Sequence, residues 1–206
     1  ATYGGGFNRF DPKTERFKHY RHQDGNPNSL SHNFIWTMSA DRTGWLYFGT
    51  KKGVSIFNPE NETFFNIKNN KNDENSLINN SVQAILKDSK GSLWIGTVNG
   101  LDYTQEYRFK NGGSEASPDF CHFTNSIEEG SSLSHDKVLS VFEDKAGIIW
   151  VGTLSGLNKY DPHKKKFITF RINLNDIDNV NNNYIRAIFQ DSRGDLWTGT
   201  RGAGLN

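Results

Sequence analysis

One short stretch limits what this chain can fold into more than any bulk property, because it comes back. "GSLWIGTVNG", residues 91–100, sets a strand-like Leu-Trp-Ile between glycines and follows it with Gly-Thr. The arrangement returns as "GWLYFGTKKG" from Gly44, "GIIWVGTLSG" from Gly147 and "GDLWTGTRGAG" from Gly194, and the opening "ATYGGG" has the form of one more tail. The closing threonines Thr2, Thr50, Thr97, Thr153 and Thr200 are 48, 47, 56 and 47 residues apart. Periods of this size belong to propellers, solenoids and arrays.

Within each copy the positions keep their chemistry. Three residues ahead of the glycine stand Asp41, Asp88, Asp144 and Asp191. Asp-x-x-Gly between two apolar runs is a hairpin turn, in which the carboxylate takes backbone N–H groups and glycine accepts positive φ. Ahead of the aspartate lies a run with Ile35, Val82, Val138 and Ile185 at six residues' distance and small Thr37, Ala84, Ser140 and Ala187 at four. It reads as a strand buried on both faces, with the small residue where strands converge on an axis. After the turn, a second strand carries Tyr47, Trp94, Trp150 and Trp197, expected to fill the space between neighbouring units. A third strand follows from Gly6, Gly53, Gly100 and Gly156, and a fourth from Phe17, Phe64, Phe120 and Phe167. Asp11-Pro12, Asn58-Pro59 and Asp161-Pro162 supply the turn between them.

The distance from the fourth-strand Phe to the next turn Asp is 24 residues in all four instances. The distance from the third-strand Gly to that Phe is 11 residues in three copies and 20 in the other. The whole excess of the long period therefore sits in one hairpin, around 105–118, as expected of a loop that projects from the rim. Four short strands per unit predict an all-β fold, a β-propeller of about four blade-equivalents. The blades divide as a half blade 1–28, blades 29–75, 76–131 and 132–178, and a half blade 179–206. The chain starts part-way through a repeat, which leads us to expect a piece of a larger propeller.

The motifs "NSLSHNFI…D..GWLYFGT..GVSIFNP" and "SSLSHDKV…ED.AGIIWVGT.SGLNKYDP" resemble the two-component regulator propeller repeat, and the resemblance runs along the whole chain. It implies the sensor ectodomain of a bacterial hybrid two-component system, whose histidine kinase lies elsewhere. It further implies a periplasmic location and a carbohydrate-derived ligand. Local departures are Tyr47 in place of Trp, "DYTQEY" without the Asp-Pro turn, and "NNNYI" in place of Ser-His-Asn.

Repeated positions serve the blade, so ligand-binding residues are sought where copies differ at the mouth of the channel. Five residues before the turn Asp stand Trp36, Gln83, Leu139 and Arg186, and seven before stand Phe34, Ser81, Lys137 and Tyr184. Trp36, Gln83, Lys137, Tyr184 and Arg186 are the candidate ligand-binding residues: an aromatic face beside charged donors suits a sugar or an acidic oligosaccharide. Other motifs reduce to architecture. "YGGGFN" lacks the Gly-Lys-Ser/Thr of a phosphate loop. His19 and His22 lie three apart on a strand and face opposite sides, which argues against a metal pair. Ser31-His32 and Ser134-His135 recur in equivalent places and are expected to order the loop into the inner strand. No serine lies in a nucleophile elbow, and no catalytic residue, metal site or cofactor is assigned. Propeller lyases and lactonases remain the enzymatic alternative, but they need clustered His or acidic residues on the axis, and the inner-strand positions named here supply none. A plain protein-interaction scaffold is the other alternative.

Net charge is +1, from 24 basic and 23 acidic residues, which lacks the basic footprint of a nucleic-acid binder. The single cysteine, Cys121, excludes a disulfide within the chain, and no apolar run approaches the ~20 residues of a membrane span. The half blades at either end are complementary. Their open edges predict a homodimer that exchanges ends into a closed ring, with a tight four-bladed monomer as the alternative.

Overall fold

The computed structural model describes residues 4–105, 118–128, 130–171, 183–202 and 204–206. A leading pair, β1 (Phe7–Asp11) and β2 (Arg16–Tyr20), is followed by three four-stranded sheets. The first full blade is β3 (Ile35–Ala40), β4 (Leu46–Thr50), β5 (Gly53–Asn58) and β6 (Thr63–Ile67). The second is β7 (Val82–Lys87), β8 (Leu93–Thr97), β9 (Gly100–Thr104) and β10 (Cys121–Phe123). The third is β11 (Val138–Glu143), β12 (Ile149–Thr153), β13 (Gly156–Asp161) and β14 (Lys166–Phe170). A trailing pair, β15 (Ile185–Gln190) and β16 (Leu196–Thr200), completes the described chain. Every sheet is an antiparallel meander, and β3, β7, β11 and β15 lie side by side as the inner strands. The fold is an all-β propeller of successive blades. Only the ends of the long hairpin are described; its residues 106–117 lie outside the described set.

Each turn aspartate does more than the sequence suggests. Asp88 Oδ1 accepts from the backbone N–H groups of Lys90 and Ser92 at 3.0 and 2.7 Å, and Oδ2 accepts from the indole Nε1 of Trp94 at 2.9 Å. Asp41 holds the hydroxyl of Tyr47 in the same way, and Asp144 and Asp191 hold the indoles of Trp150 and Trp197. The turn is thus tied to the aromatic ring that packs the seam. The Gly-Thr ending is explained by two separate constraints. A Cβ built on Gly96 would lie 2.5 Å from Val138 Cγ1 of the next blade, so this glycine is required by close approach. Thr97 Oγ1 donates to the Gly100 carbonyl at 2.9 Å and closes the link to the third strand.

The core runs along the seams. Phe7, Tyr20, Leu30, Ile35, Phe48, Phe57 and Phe64 join the leading pair to the first full blade. Tyr47, Ile56, Leu77, Val82 and Ile95 join the first and second. Trp94, Leu133, Val138, Val151 and Tyr160 join the second and third. Two expectations need correction. The inner strands are not all buried on both faces: β3 and β15, at the two ends of the row of inner strands, carry exposed positions, whereas β7 and β11 between them carry none. Trp94 is 2% exposed and Tyr47 1%, but Trp150 and Trp197 are only half-buried. Trp94 is covered by Tyr160 of the following blade at 5.0 Å, whereas the described part of the trailing pair offers Trp150 no equivalent ring.

Candidate functional site

The inner strands share an irregularity that sets the axial site. Pairing between β3 and β4 runs from Ile35 opposite Thr50 to Thr37 opposite Gly49, so the register shifts at Trp36, which bulges. The same shift falls between Val82 and Ala84, Val138 and Ser140, and Ile185 and Ala187. Gln83, Leu139 and Arg186 are therefore the bulged residues of their strands. A bulge bends the strand and re-aims a side chain. Here it presents one variable residue per blade to the axis, while the small residue after it lies against the Gly of the second strand.

These bulged residues come together. Trp36, Gln83, Leu139 and Arg186 line one cavity of about 280 Å³, with Thr37, Ser140 and Ala187 among the other walls. Lys137 and Tyr184 do not line it; each stands two residues before a bulged one and belongs to its rim. The rim is held by backbone bonds to the links after Gly-Thr: Leu154 N–H to the Lys137 carbonyl and Arg201 N–H to the Tyr184 carbonyl, both 3.2 Å. His32 and His135 do the local ordering expected of them, their Nδ1 atoms accepting from the N–H groups of Phe34 and Lys137 at 3.0 and 2.8 Å.

The rim is cationic. The guanidinium of Arg186 lies 5.7 Å from the Tyr184 ring centre and that of Arg201 5.6 Å. Hydrogen bonds from Arg186 and Arg201, with the charges of Arg186 and Lys137, hold the Tyr184 phenol below its ordinary value and outweigh its burial. In the first full blade, burial and then the charges of Lys52 and Lys51 keep His32 below its ordinary value. Among the described residues none of Lys51, Lys52, Lys137, Arg186 and Arg201 forms an ion pair. Such an arrangement can take an anion at the rim and a flat or apolar face against Trp36 inside it. Arg201 is not among the sequence candidates, which were sought only at the inner-strand offsets before the turn Asp. The signal available was its departure from Lys51, Val98 and Leu154 at the same place in other copies. Among the described residues no three of His, Cys, Asp and Glu are grouped as metal ligands would be.

A repeated four-stranded meander with a variable bulge on its inner strand defines the class as a β-propeller. The two component regulator propeller model matches residues 76–99, 132–155 and 179–202, each spanning an inner strand and its Trp-bearing partner, and these stretches are repeats of that family. The copy with Tyr47 lies outside the three. No curated protein matches the chain. Among solved structures, it is similar to an extracellular domain assigned to a hybrid two component system of B. thetaiotaomicron, with 22% identity and a TM-score of 0.53, over 100% of this chain and 31% of that one. It is also similar to virginiamycin B lyase of Staphylococcus aureus (13% identity, TM-score 0.61, 95% and 56% of the two chains). PorZ, a surface component of the type-IX secretion system of Porphyromonas gingivalis, gives 14% identity and a TM-score of 0.51, over 99% and 36%. The chain thus spans less than a third of the two-component domain and about half of the lyase. At these identities the likenesses establish the fold.

Proposed function

We propose that this chain is the ligand-binding part of a periplasmic two-component sensor, non-catalytic in itself, which takes an anionic carbohydrate-derived ligand at the axial mouth. The observation that carries the reading is the convergence of Trp36, Gln83 and Arg186 on one cavity beneath a rim bearing Lys137, Arg186 and Arg201. The family of the repeats supports a sensing role, with the kinase outside this chain. A binding reading is favoured over the lyase-like one because the residues lining the cavity bring neither a carboxylate nor an imidazole to the axis.

The test is a thermal-shift screen of acidic and neutral oligosaccharides, followed by calorimetry. An acidic oligosaccharide at ~100 times its Kd should stabilise the fold by roughly 2.7 kcal/mol. The Lys137→Ser/Arg186→Ser variant should lose at least a tenfold in affinity while melting at the wild-type temperature without ligand. Equal binding by that variant, or turnover of the oligosaccharide, defeats the proposal.

A further inference from the structure

A cavity larger than the axial one lies at the other end of the blades. It measures about 760 Å³ and is built from the Asp-x-x-Gly turns of the first and second full blades, with Glu143 reaching in from the third. Its carboxylates are already occupied. Asp41 accepts from the N–H groups of Thr43 and Trp45 and from the Tyr47 hydroxyl. Asp88 accepts from the N–H groups of Lys90 and Ser92 and from the Trp94 indole. Glu143 spends both oxygens on the N–H and hydroxyl of Ser89, at 2.7 and 2.5 Å.

The cations of the wall differ from those elsewhere at this end. Arg193 pairs with Asp191 and Asp195 at 3.5 and 3.2 Å, and Lys145 Nζ donates to the carbonyls of Asp191 and Ser192. Lys87 donates to the Gly91 carbonyl and lies over the Tyr47 ring. Arg42 and Lys90 line the cavity and have no ion pair among the described residues. Beside them is an unrepeated aromatic: Trp45 follows the turn glycine, where other copies have Ser92, Ile148 and Asp195. Its indole stacks on Phe65, centroids 5.9 Å apart, and forms part of the wall.

We propose that this cavity is a second ligand site, for the acidic residue of a saccharide. The apolar face of the sugar ring packs on Trp45, and its carboxylate or sulfate is held by Arg42 and Lys90. The site is separate from the axial mouth and stands without the reading given for it.

The test is an NMR titration of the Trp45 indole N–H, assigned by its loss in Trp45→Phe. The probes are digalacturonate, galactose 6-sulfate and neutral cellobiose. Digalacturonate or galactose 6-sulfate should shift the Trp45 signal saturably, and whichever does so names the anion; cellobiose should not. Arg42→Ser/Lys90→Ser should raise Kd at least about tenfold without changing the melting temperature of the free protein. Lys137→Ser/Arg186→Ser should leave this titration unaltered. No saturable shift with either acidic probe up to about 10 mM, far weaker than a specific site requires, would overturn the proposal. So would a shift that survives Arg42→Ser/Lys90→Ser. A shift abolished only by Lys137→Ser/Arg186→Ser would place the ligand at the axial mouth alone, rejecting this site and supporting the other.

Discussion

In every full blade, the loop entering the inner strand gives one backbone N–H to a side chain two residues past the third-strand glycine. Ser31 donates to Ser55 Oγ at 2.9 Å, Ile78 to Asp102 Oδ2 at 3.1 Å and Ser134 to Asn158 Oδ1 at 2.9 Å. The fourth strand adds Asn66, His122 or Thr169 to the same node. Two nodes are neutral; the middle one is ionisable. Ile78 lacks the hydroxyl that Ser31 and Ser134 contribute, and His122 supplies the donor instead, its Nδ1 2.6 Å from Asp102 and its Nε2 2.7 Å from the Glu74 carbonyl. Asp102 is 0% exposed. Burial pushes its carboxyl above the ordinary value, and the carboxylate in turn pushes His122 up. Both groups hold a proton more tightly folded than unfolded, so stability falls as pH rises. The contribution of His122 is complete below its ordinary value of about 6.5 and fades as pH climbs through the raised one. Between about pH 6 and 9 the urea midpoint should therefore drop more steeply in the wild type than in Asp102→Asn/His122→Thr, which installs the residue pair of 158 and 169. Parallel curves for the two chains would refute this. The node was not legible in the sequence, because its three members are separated by 24 and 20 residues and change chemistry from blade to blade.

At the scale of elements, the strand order and the seam aromatics were legible because spacing repeats: a residue held at one offset in four copies is held by the blade. The bulges were not. Nothing in Ile-Trp-Thr or Val-Gln-Ala says that the register shifts at the middle residue, just as nothing in one repeat reports how closely Gly49 and Gly96 approach the neighbouring blade. The offset that singled out Trp36, Gln83 and Arg186 nonetheless coincides with the bulge, since variation is tolerated where no partner strand constrains the side chain. Seam burial also depends on the neighbour, which a single repeat does not report. Trp94→Ala should cost about 3–5 kcal/mol, as for a large buried side chain, and half-buried Trp150→Ala distinctly less. Chemical denaturation of the two variants tests this; equal losses would mean that the rings are covered alike in solution.

At the scale of the whole molecule, the β1–β2 and β15–β16 pairs are separate two-stranded sheets among the described residues. Each pair carries exposed apolar side chains: Phe10 and Phe17 on the first, Phe189 and Leu205 on the second at 61% and 66% exposure. Around Ala187, Trp197 and Gly199 these last two line an almost wholly apolar hollow of about 310 Å³. Faces of this kind seek cover, and the exchanged-end homodimer remains our proposal for how this chain covers them. Light scattering at low micromolar concentration should give twice the 23.4 kDa chain mass; a monomeric mass rejects it. The inner-strand bulge has a consequence of another kind. Because each inner strand sets one residue outside its ladder register, the variable part of this chain is written as one letter per repeat. Mutation can rewrite a letter, and duplication of a repeat can add one, without reopening the question of how the blade folds.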